Sequence, residues 1–451
     1  MRKITTLVAL MAITLFNACQ KDSDSQETDL ALDTELTDAI ALASDGEGVS
    51  RYMFPESDNF NAIPQDPLNP LTSAKVSLGK LLFHETALSI ATIKPLGEGK
   101  TSCASCHFAS AGFQAGRIQG IGEGGIGFGI NGEGRQRGML YEEVDLDVQP
   151  IRTPSAMNGA YQINQLWNGQ FGGTGLNTGT EYAWTDETPK AFNNTGFEGL
   201  EVQAVAGLGV HRMNIDMSVL EPLGYKEKFD LVFSDIDEDN RYTNETAGLA
   251  IAAYERTVLS NQAPFQKWLA GDKSIMSDEE KRGAIVFFEK GKCVSCHDGP
   301  ALNKMEFHAL GMSGLQDCPE ETFKTIKEAS ENLGRGGFTG IAEDNYKFKT
   351  PQLYNLADSP FLGHGSSFRT IKSVVQYKNM AIKENANVPD EALSDAFVPL
   401  NLTDEEIEDL TTFLTVSLRD QNLTRYQPES VLSGNCIPFN DPMAASELGC
   451  N

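Results

Sequence analysis

Two short motifs of the same pattern constrain this chain more than any other feature. "TSCASCHFAS" occupies residues 101–110 and "GKCVSCHDGP" occupies residues 291–300, so the motifs lie 190 residues apart. In each, two cysteines are separated by two residues and a histidine follows directly. Three kinds of chemistry use a similar pattern: a zinc site, thiol–disulfide exchange and covalent attachment of a haem. The long spacing predicts two related domains, because a repeat solenoid would need a far shorter period.

Spacing and context decide between these three alternatives. A four-cysteine zinc ribbon needs its second pair about 15–20 residues after the first, and here the gap is far longer. Thioredoxin-like exchange needs its cysteines beside a βαβ unit, which the sequence does not predict. Haem c uses all three residues, since two thiols bind the ring edge and the histidine ligates the iron. The sequence therefore predicts two covalent haems, held by Cys103, Cys106 and His107 and by Cys293, Cys296 and His297.

Length and charge narrow the possible partners. The 451 residues are enough for two to three domains, and an apolar content of 40% allows a buried core. The formal net charge of −27 argues against binding to nucleic acid or to an anionic membrane face. Such a charge would suit a basic partner protein, although an acidic surface is more often simply solvated.

The beginning of the chain predicts export and a lipid anchor. Arg2 and Lys3 precede a short apolar stretch, which is typical of a signal peptide over residues 1–18. Cys19 would then be the acylated first residue of a lipoprotein, and the alternative is an ordinary signal peptide with an incidental cysteine. Residues 19–64 are predicted to be a flexible acidic tether. The folded part is expected in the cell envelope, periplasmic or surface-exposed, and attached to a membrane only through the lipid.

The rest of the chain is predicted to be mainly helical and rich in loops. Capping boxes beginning at Ser277 and Thr403 each precede apolar residues at helical spacing. Residues 246–260 form a third apolar helical pattern, whereas strand patterns are scarce. The glycine-rich stretch 116–138 is predicted to be a long loop.

A series of further segments occurs in a fixed order around the two motifs. They are "SLGKLLFHETALS", "IRTPSAMNGAY", "LWNGQFGG", "LEVQA", "AIAAYERTVLS", "LGRGGFTG", "FKTPQLYNLADSPFLGHGS" and "LTDEEIEDLTTFL". Each is weak alone, but their order and spacing are specific. Over residues 65–425 the chain resembles the bacterial dihaem cytochrome c peroxidases and the related dihaem enzymes that mature methylamine dehydrogenase.

The resemblance implies two cytochrome c-like haem domains with long loops. The N-terminal domain, 65–262, would carry the peroxidatic haem, and the C-terminal domain, 263–425, the electron-transfer haem, followed by a tail at 426–451. Hydrogen peroxide would be reduced to water with electrons from a small cytochrome c or cupredoxin. Trp167 matches the tryptophan that lies between the two haems in this family. A homodimer is left open.

The distal side of the first haem departs from the family pattern. Gln203 matches the distal glutamine, but ten residues later Met213 stands where the family has its acid–base glutamate. Cleavage of the O–O bond needs a proton carrier and a group that stabilises the leaving oxygen. We expect His211 to carry the proton and Arg212 to stabilise the oxygen. The alternatives for His211 are ligation of the first iron or structural packing.

The resemblance also implies a distal ligand for the second haem and a structural cation. The ligand falls at Tyr377, with Met380 as its rival if the helix register differs, and an anionic tyrosine would give the lower potential. A calcium ion between the domains would be bound by Asn158, Asp358 and the carbonyl of Pro360. Ordinary turn chemistry is the alternative for these three.

Two other functions stay open at this point. One is oxidation of a protein or organic substrate by high-valent iron, which the missing glutamate and the tyrosine ligand favour. The other is a non-enzymatic dihaem electron carrier, which an axial His211 would favour. Among Cys318, Cys436 and Cys450 one disulfide is expected, but the sequence does not define the pairing.

The two motifs generate a first test. We expect the denatured holoprotein to retain the mass of two haems in mass spectrometry, because thioether bonds survive unfolding. Replacing both Cys103 and Cys106 by alanine should leave one haem mass. Complete loss of colour from the parent protein on acid–acetone extraction would contradict covalent attachment.

Overall fold

The computed structural model describes residues 30–450, and within them the protein is mainly helical. The helices are α1 (30–43), α2 (Ser73–His84), α3 (Gly199–Val210), α4 (Met217–Leu220), α5 (Lys226–Val232), α6 (Glu238–Arg241), α7 (Asn244–Arg256), α8 (Pro264–Leu269), α9 (Asp278–Phe288), α10 (Arg335–Thr339), α11 (Ile371–Met380), α12 (Asp404–Thr412) and α13 (Pro442–Leu448). Four two-residue strands form two antiparallel pairs, β1 (Gly125–Ile126) with β2 (Gln136–Arg137) and β3 (Phe307–His308) with β4 (Phe348–Lys349). No helix among these residues is long and apolar enough to cross a bilayer.

The N-terminal and C-terminal haem domains, called here the first and second units, each contain one close helix crossing. In the first unit α2 crosses α7, and a Cβ added at Gly79 would lie 1.8 Å from the carbonyl oxygen of Ala250. In the second unit α9 crosses α12, and a Cβ at Gly283 would lie 2.0 Å from the carbonyl oxygen of Asp409. Only glycine allows two helix backbones to approach this closely. The CxxCH motifs follow α2 and α9, so the same crossing positions both.

A second sequence repeat follows each motif at the same place in the fold. "RTPSAMN" at 152–158 and "KTPQLYN" at 349–355 share a cation, a Thr-Pro pair and a final asparagine. Asn158 and Asn355 both have the left-handed conformation, with φ of 56°. This equivalence extends the duplication beyond the two motifs.

The predicted secondary structure is largely confirmed. The capping boxes at Ser277 and Thr403 begin α9 and α12, and α7 covers most of the third predicted helix. Within the stretch 116–138 regular structure is confined to the short β1–β2 pair. The prediction of a mainly α protein with two haem units is confirmed.

The predicted flexible tether is wrong for residues 30–64. Leu36 and Tyr52 are fully buried, and Asp33 accepts a hydrogen bond of 2.8 Å from the indole of Trp268. This segment therefore packs against α8 and α9 of the second unit. Glu35 and Asp38 lie on the exposed face of α1, and its buried apolar residues recur at helical spacing, which an average composition does not reveal.

The C-terminal tail packs against the first unit. Cys436 and Cys450 form a disulfide, and Cys318 is a free thiol. Asp441 accepts a hydrogen bond of 3.0 Å from Arg135, which is buried in the glycine-rich loop. The tail therefore helps to hold this loop in place.

The helix crossing generates a stability test. Gly79→Ala should lower the free energy of unfolding by about 2 kcal/mol or more, because the new methyl group overlaps a carbonyl that cannot move independently. Gly209→Ala is the matched control: it also lies in a helix, α3, and its added Cβ meets nothing within 4 Å. Thermal or denaturant unfolding of the holoproteins measures both. Equal stability of the two variants would contradict the proposed backbone contact.

Candidate haem centres

The second motif lines a cavity of about 370 Å³ between α9, α11 and α12. Cys293, Cys296 and His297 lie on its wall, together with apolar side chains such as Val374 and Val375. The two thiols are not joined in a disulfide. An enclosed apolar cavity with two free thiols and an imidazole suits a covalently attached, flat, largely apolar ring.

The hydrogen bonds of His107 and His297 favour the neutral form that ligates a metal through Nε2. The Nδ1 atom of His107 lies 3.1 Å from the carbonyl oxygen of Phe113, and that of His297 lies 3.0 Å from the carbonyl oxygen of Leu302. Because a carbonyl can only accept, the proton resides on Nδ1 and Nε2 keeps its lone pair for the iron. Burial lowers the pKa of each histidine to about 4, which keeps the ring neutral.

The glycine-rich loop wraps closely over the first motif. Cys103 and Cys106 are free thiols, as in the second centre. A Cβ added at Gly120 would lie 2.9 Å from Cys106 Sγ, so the loop backbone touches the attachment residues directly.

Two buried cations show that an anionic group belongs at these centres. In the described chain the side chains of Arg152 and Lys349 donate hydrogen bonds only to uncharged acceptors. Burial lowers the pKa of Arg152 to about 9 and that of Lys349 to about 7. A buried cation without a counter-ion is costly, and the propionates of a haem would supply the missing charge. The residues present therefore fit haem at both centres.

Trp167, which the resemblance places between the two haems, contacts residues of both units. Its ring lines the cavity of the second centre and lies 6.2 Å from the ring of His364. Its Nε1 donates a hydrogen bond of 2.8 Å to the carbonyl of Arg152. Arg152 lies two residues before Pro154, whose carbonyl is a second backbone partner of His107.

His364 is the counterpart of Trp167 in the second unit. Isolated bridges close the segments 165–171 and 362–368, and each ring stands two residues after the start of its segment. His364 stacks on Phe348 with a centroid separation of 3.6 Å, and burial lowers its pKa to about 3. The duplication therefore places an aromatic ring from each unit at their junction.

The residues predicted for the distal side of the first centre lie on α3 and just after it. Gln203 and His211 are eight residues apart, on the same face of the helix as Gly207. His211 Nδ1 lies 3.1 Å from each carboxylate oxygen of Asp147, a side chain that is 7% exposed. Burial contributes most to the low pKa of His107, and the charge of His211 lowers it further.

The predicted role of Arg212 is not supported by its contacts. Its guanidinium bonds to the buried carboxylate of Glu123 at 2.5 Å and to the carbonyls of Asp145 and Leu146. These bonds hold the guanidinium of Arg212 in a salt bridge with Glu123 and against the backbone of residues 145–146. The sequence pattern missed Glu123 and Asp147, because they lie 89 and 64 residues from their partners.

The structure changes the choice of distal ligand at the second centre. Tyr377 is buried, and its hydroxyl donates a hydrogen bond of 2.5 Å to the carbonyl of Leu310, a residue of the cavity wall. Met380 is 55% exposed, so it is not placed to reach an iron on His297. Met312 does line the cavity, and it replaces Met380 as the rival of Tyr377.

The predicted calcium ligands already have other partners. Asn158 Oδ1 accepts a hydrogen bond of 3.0 Å from the backbone of Ser260. Asp358 pairs with Arg419 at 2.6 Å, which neutralises the charge that a cation would use. Pro360 alone offers only a neutral carbonyl. The structure therefore does not support a calcium ion at this place.

Known proteins resemble the chain over most of its length. Residues 73–274 match the sequence profile of the family described as di-haem cytochrome c peroxidase. A cytochrome-c peroxidase of Denitromonas iodatirespirans is 28% identical over 433 residues, which cover 91% of this chain and 96% of the relative. The methylamine utilization protein MauG of Methylophilus methylotrophus is 29% identical over 362 residues, which cover 78% of this chain and 85% of the relative.

Solved structures show the same fold. A MauG-like protein associated with microbial copper homeostasis superposes with a TM-score of 0.57 at 22% identity, covering 82% of this chain and 95% of that protein. Two thiol pairs, each followed by a neutral histidine on a duplicated helical frame, agree with these likenesses. The chain is therefore similar to cytochrome-c peroxidases and MauG proteins, and its residues 73–274 match the family of di-haem cytochrome c peroxidases, oxidoreductases that carry two haems c.

Proposed function

We propose that the first centre reduces hydrogen peroxide to water, while the second centre relays electrons from a small redox protein. The donor would be a cytochrome c or a cupredoxin. The overall change consumes one peroxide, two electrons and two protons and forms two water molecules. The observation that carries this proposal is the difference between the distal faces of the two centres.

The distal helix of the first centre ends in a proton-carrying group. His211 follows α3 and is hydrogen-bonded to the carboxylate of Asp147. Helix α11 of the second centre lines the cavity with the apolar Ile371, Val374 and Val375 and with one basic residue, Lys378. Reduction of peroxide needs proton transfer, whereas electron transfer does not. The chemistry is therefore assigned to the first centre.

The residues of the first centre have separate roles in this scheme. A bound haem would supply the iron that receives peroxide and the electrons for its reduction. Nε2 of His211 takes a proton from one peroxide oxygen and returns it to the other. The amide of Gln203, on the same helix face, orients the bound peroxide.

Electrons would pass between the centres at Trp167. The ring contacts the cavity of the second centre, and its Nε1 is bonded to the segment that supports His107. This short connection supports a relay from the second centre to the first.

Export would place this reaction in the cell envelope. Cys19, the predicted lipid attachment site, lies outside the described residues. A lipid there, with the signal peptide over residues 1–18, would anchor the enzyme without a spanning helix.

The assignment of His211 generates a kinetic test. His211→Ala should slow peroxide reduction by about a hundredfold or more, because one general acid–base group contributes on this scale. The high-spin signal of the first haem should persist in EPR. If His211 is instead an iron ligand, the same variant would convert a low-spin haem to high spin and raise the turnover. The two outcomes have opposite signs, so spin state and rate measured together decide.

The second centre generates a spectroscopic test. If Tyr377 ligates the second iron, Tyr377→Phe should change the low-spin spectrum of that haem and leave the first unchanged. Met380→Leu is the control and should have no effect, because this side chain is exposed. An unchanged spectrum in Tyr377→Phe, together with a changed one in Met312→Leu, would assign the ligand to Met312.

A further inference from the structure

We propose that Asp147 is a positioning residue that holds His211 in a single tautomer, with Nε2 free to exchange protons with peroxide. The inference rests on the proposed function, since it explains how the tautomer and orientation of His211, the proposed proton carrier, are fixed. The family's single glutamate is replaced here by a pair of residues that are distant in the sequence. The carboxylate of Asp147 is hydrogen-bonded to the imidazole, so we expect it to act through His211.

The geometry of the pair defines the tautomer. His211 Nδ1 lies 3.1 Å from both Oδ1 and Oδ2 of Asp147. An ionised carboxylate can only accept hydrogen bonds, so the Nδ1 proton points at Asp147 and the lone pair of a neutral ring resides on Nε2. In serine proteases a buried aspartate fixes the catalytic histidine in the same way, and its replacement by asparagine gives the wrong tautomer.

Asp147 is itself held from two sides. Its N–H donates to the carbonyl of Glu123 at 2.9 Å, and its carbonyl accepts from the N–H of Gly122 at 2.8 Å. A Cβ added at Gly122 would lie 2.3 Å from Asp147 Oδ2, so the carboxylate fits only because residue 122 is glycine. The glycine-rich loop thus builds the support for His211.

The charges around the imidazole leave Asp147 as its counter-ion. Glu123 pairs with Arg212, and Asp145 pairs with Lys94 at 2.7 Å, so both of these acids already bond a cation.

The same charges fix the direction in which the pKa of His211 moves. Burial lowers this pKa, the charge and hydrogen bond of Asp147 raise it, and Arg212 lowers it, with a net increase. His107 is the other titratable ring nearby, and it is kept neutral by burial. Asp147 therefore makes His211 a stronger base near neutral pH.

The test measures His211 directly in the holoprotein. Diethylpyrocarbonate modifies neutral imidazoles, so the pH dependence of His211 modification, followed by peptide mass spectrometry, reports the protonation of this ring. In Asp147→Asn the midpoint should shift to lower pH, because the histidinium loses its counter-ion. Peroxide turnover should fall by about tenfold or more in kcat, with little change in KM.

Two further variants distinguish a positioning role of Asp147 from a nonspecific effect on charge or folding. Asp145→Asn removes the same charge two residues away and should leave the His211 midpoint and the turnover near those of the parent. Gly122→Ala keeps the aspartate but displaces its carboxylate, and it should reproduce the effects of Asp147→Asn. It also provides a second test if Asp147→Asn does not fold, and the haem absorption spectrum checks folding in each case.

The outcomes distinguish this inference from the proposed function. An unchanged midpoint and kcat in a folded Asp147→Asn protein would overturn the positioning role, even if His211→Ala abolishes activity. A shifted midpoint in Asp147→Asn with full activity in His211→Ala would support the pair and refute the peroxidatic role of His211. Protection of His211 from modification at every pH in the parent would mean that Nε2 is bonded to iron, and would overturn the inference.

Discussion

The close contact of two helix backbones in each unit is the constraint on which the rest of the structure depends. Gly79 and Gly283 let α2 meet α7 and α9 meet α12 without an intervening side chain. The attachment motif follows the first helix of each pair, closely after α9 in the second unit and after an intervening loop in the first. Its histidine then turns Nδ1 to a backbone carbonyl and leaves Nε2 for the iron. The helix crossing thus fixes where each haem is held.

Duplication of this frame leaves the distal helices free to differ, and the difference separates the two roles. The end of α3 places His211 against a carboxylate, whereas α11 lines the second cavity with three branched apolar side chains and Lys378. At the junction the two copies contribute Trp167 and His364 to one contact. Each copy also contributes a buried basic side chain, Arg152 or Lys349, that could pair with an anionic group. The shared frame supplies the haem attachment residues of both centres, and the proposed separation of their roles rests on residues that differ between the two copies.

The two ends of the described chain join the units. The segment 30–64 packs on the second unit through Asp33 and Trp268, although it precedes the first unit in the sequence. The tail, closed by its disulfide, packs on the first unit although it follows the second. Through Arg135 the tail also holds the loop that supports Asp147. The C-terminal tail therefore helps to hold the loop that packs against Asp147.

The sequence by itself determined the haem attachment residues, the principal helices and the division into two units. These features are encoded locally, by covalent chemistry that needs fixed spacing and by apolar residues at helical period. Only the tertiary structure decided which carboxylate meets His211, that Arg212 is held by Glu123, and that Met312 rather than Met380 lines the second cavity. The acidic composition of residues 30–64 likewise concealed a packed segment. Such contacts join residues far apart in the chain, and no local pattern records them, because burial and pairing are set only when the whole fold has formed.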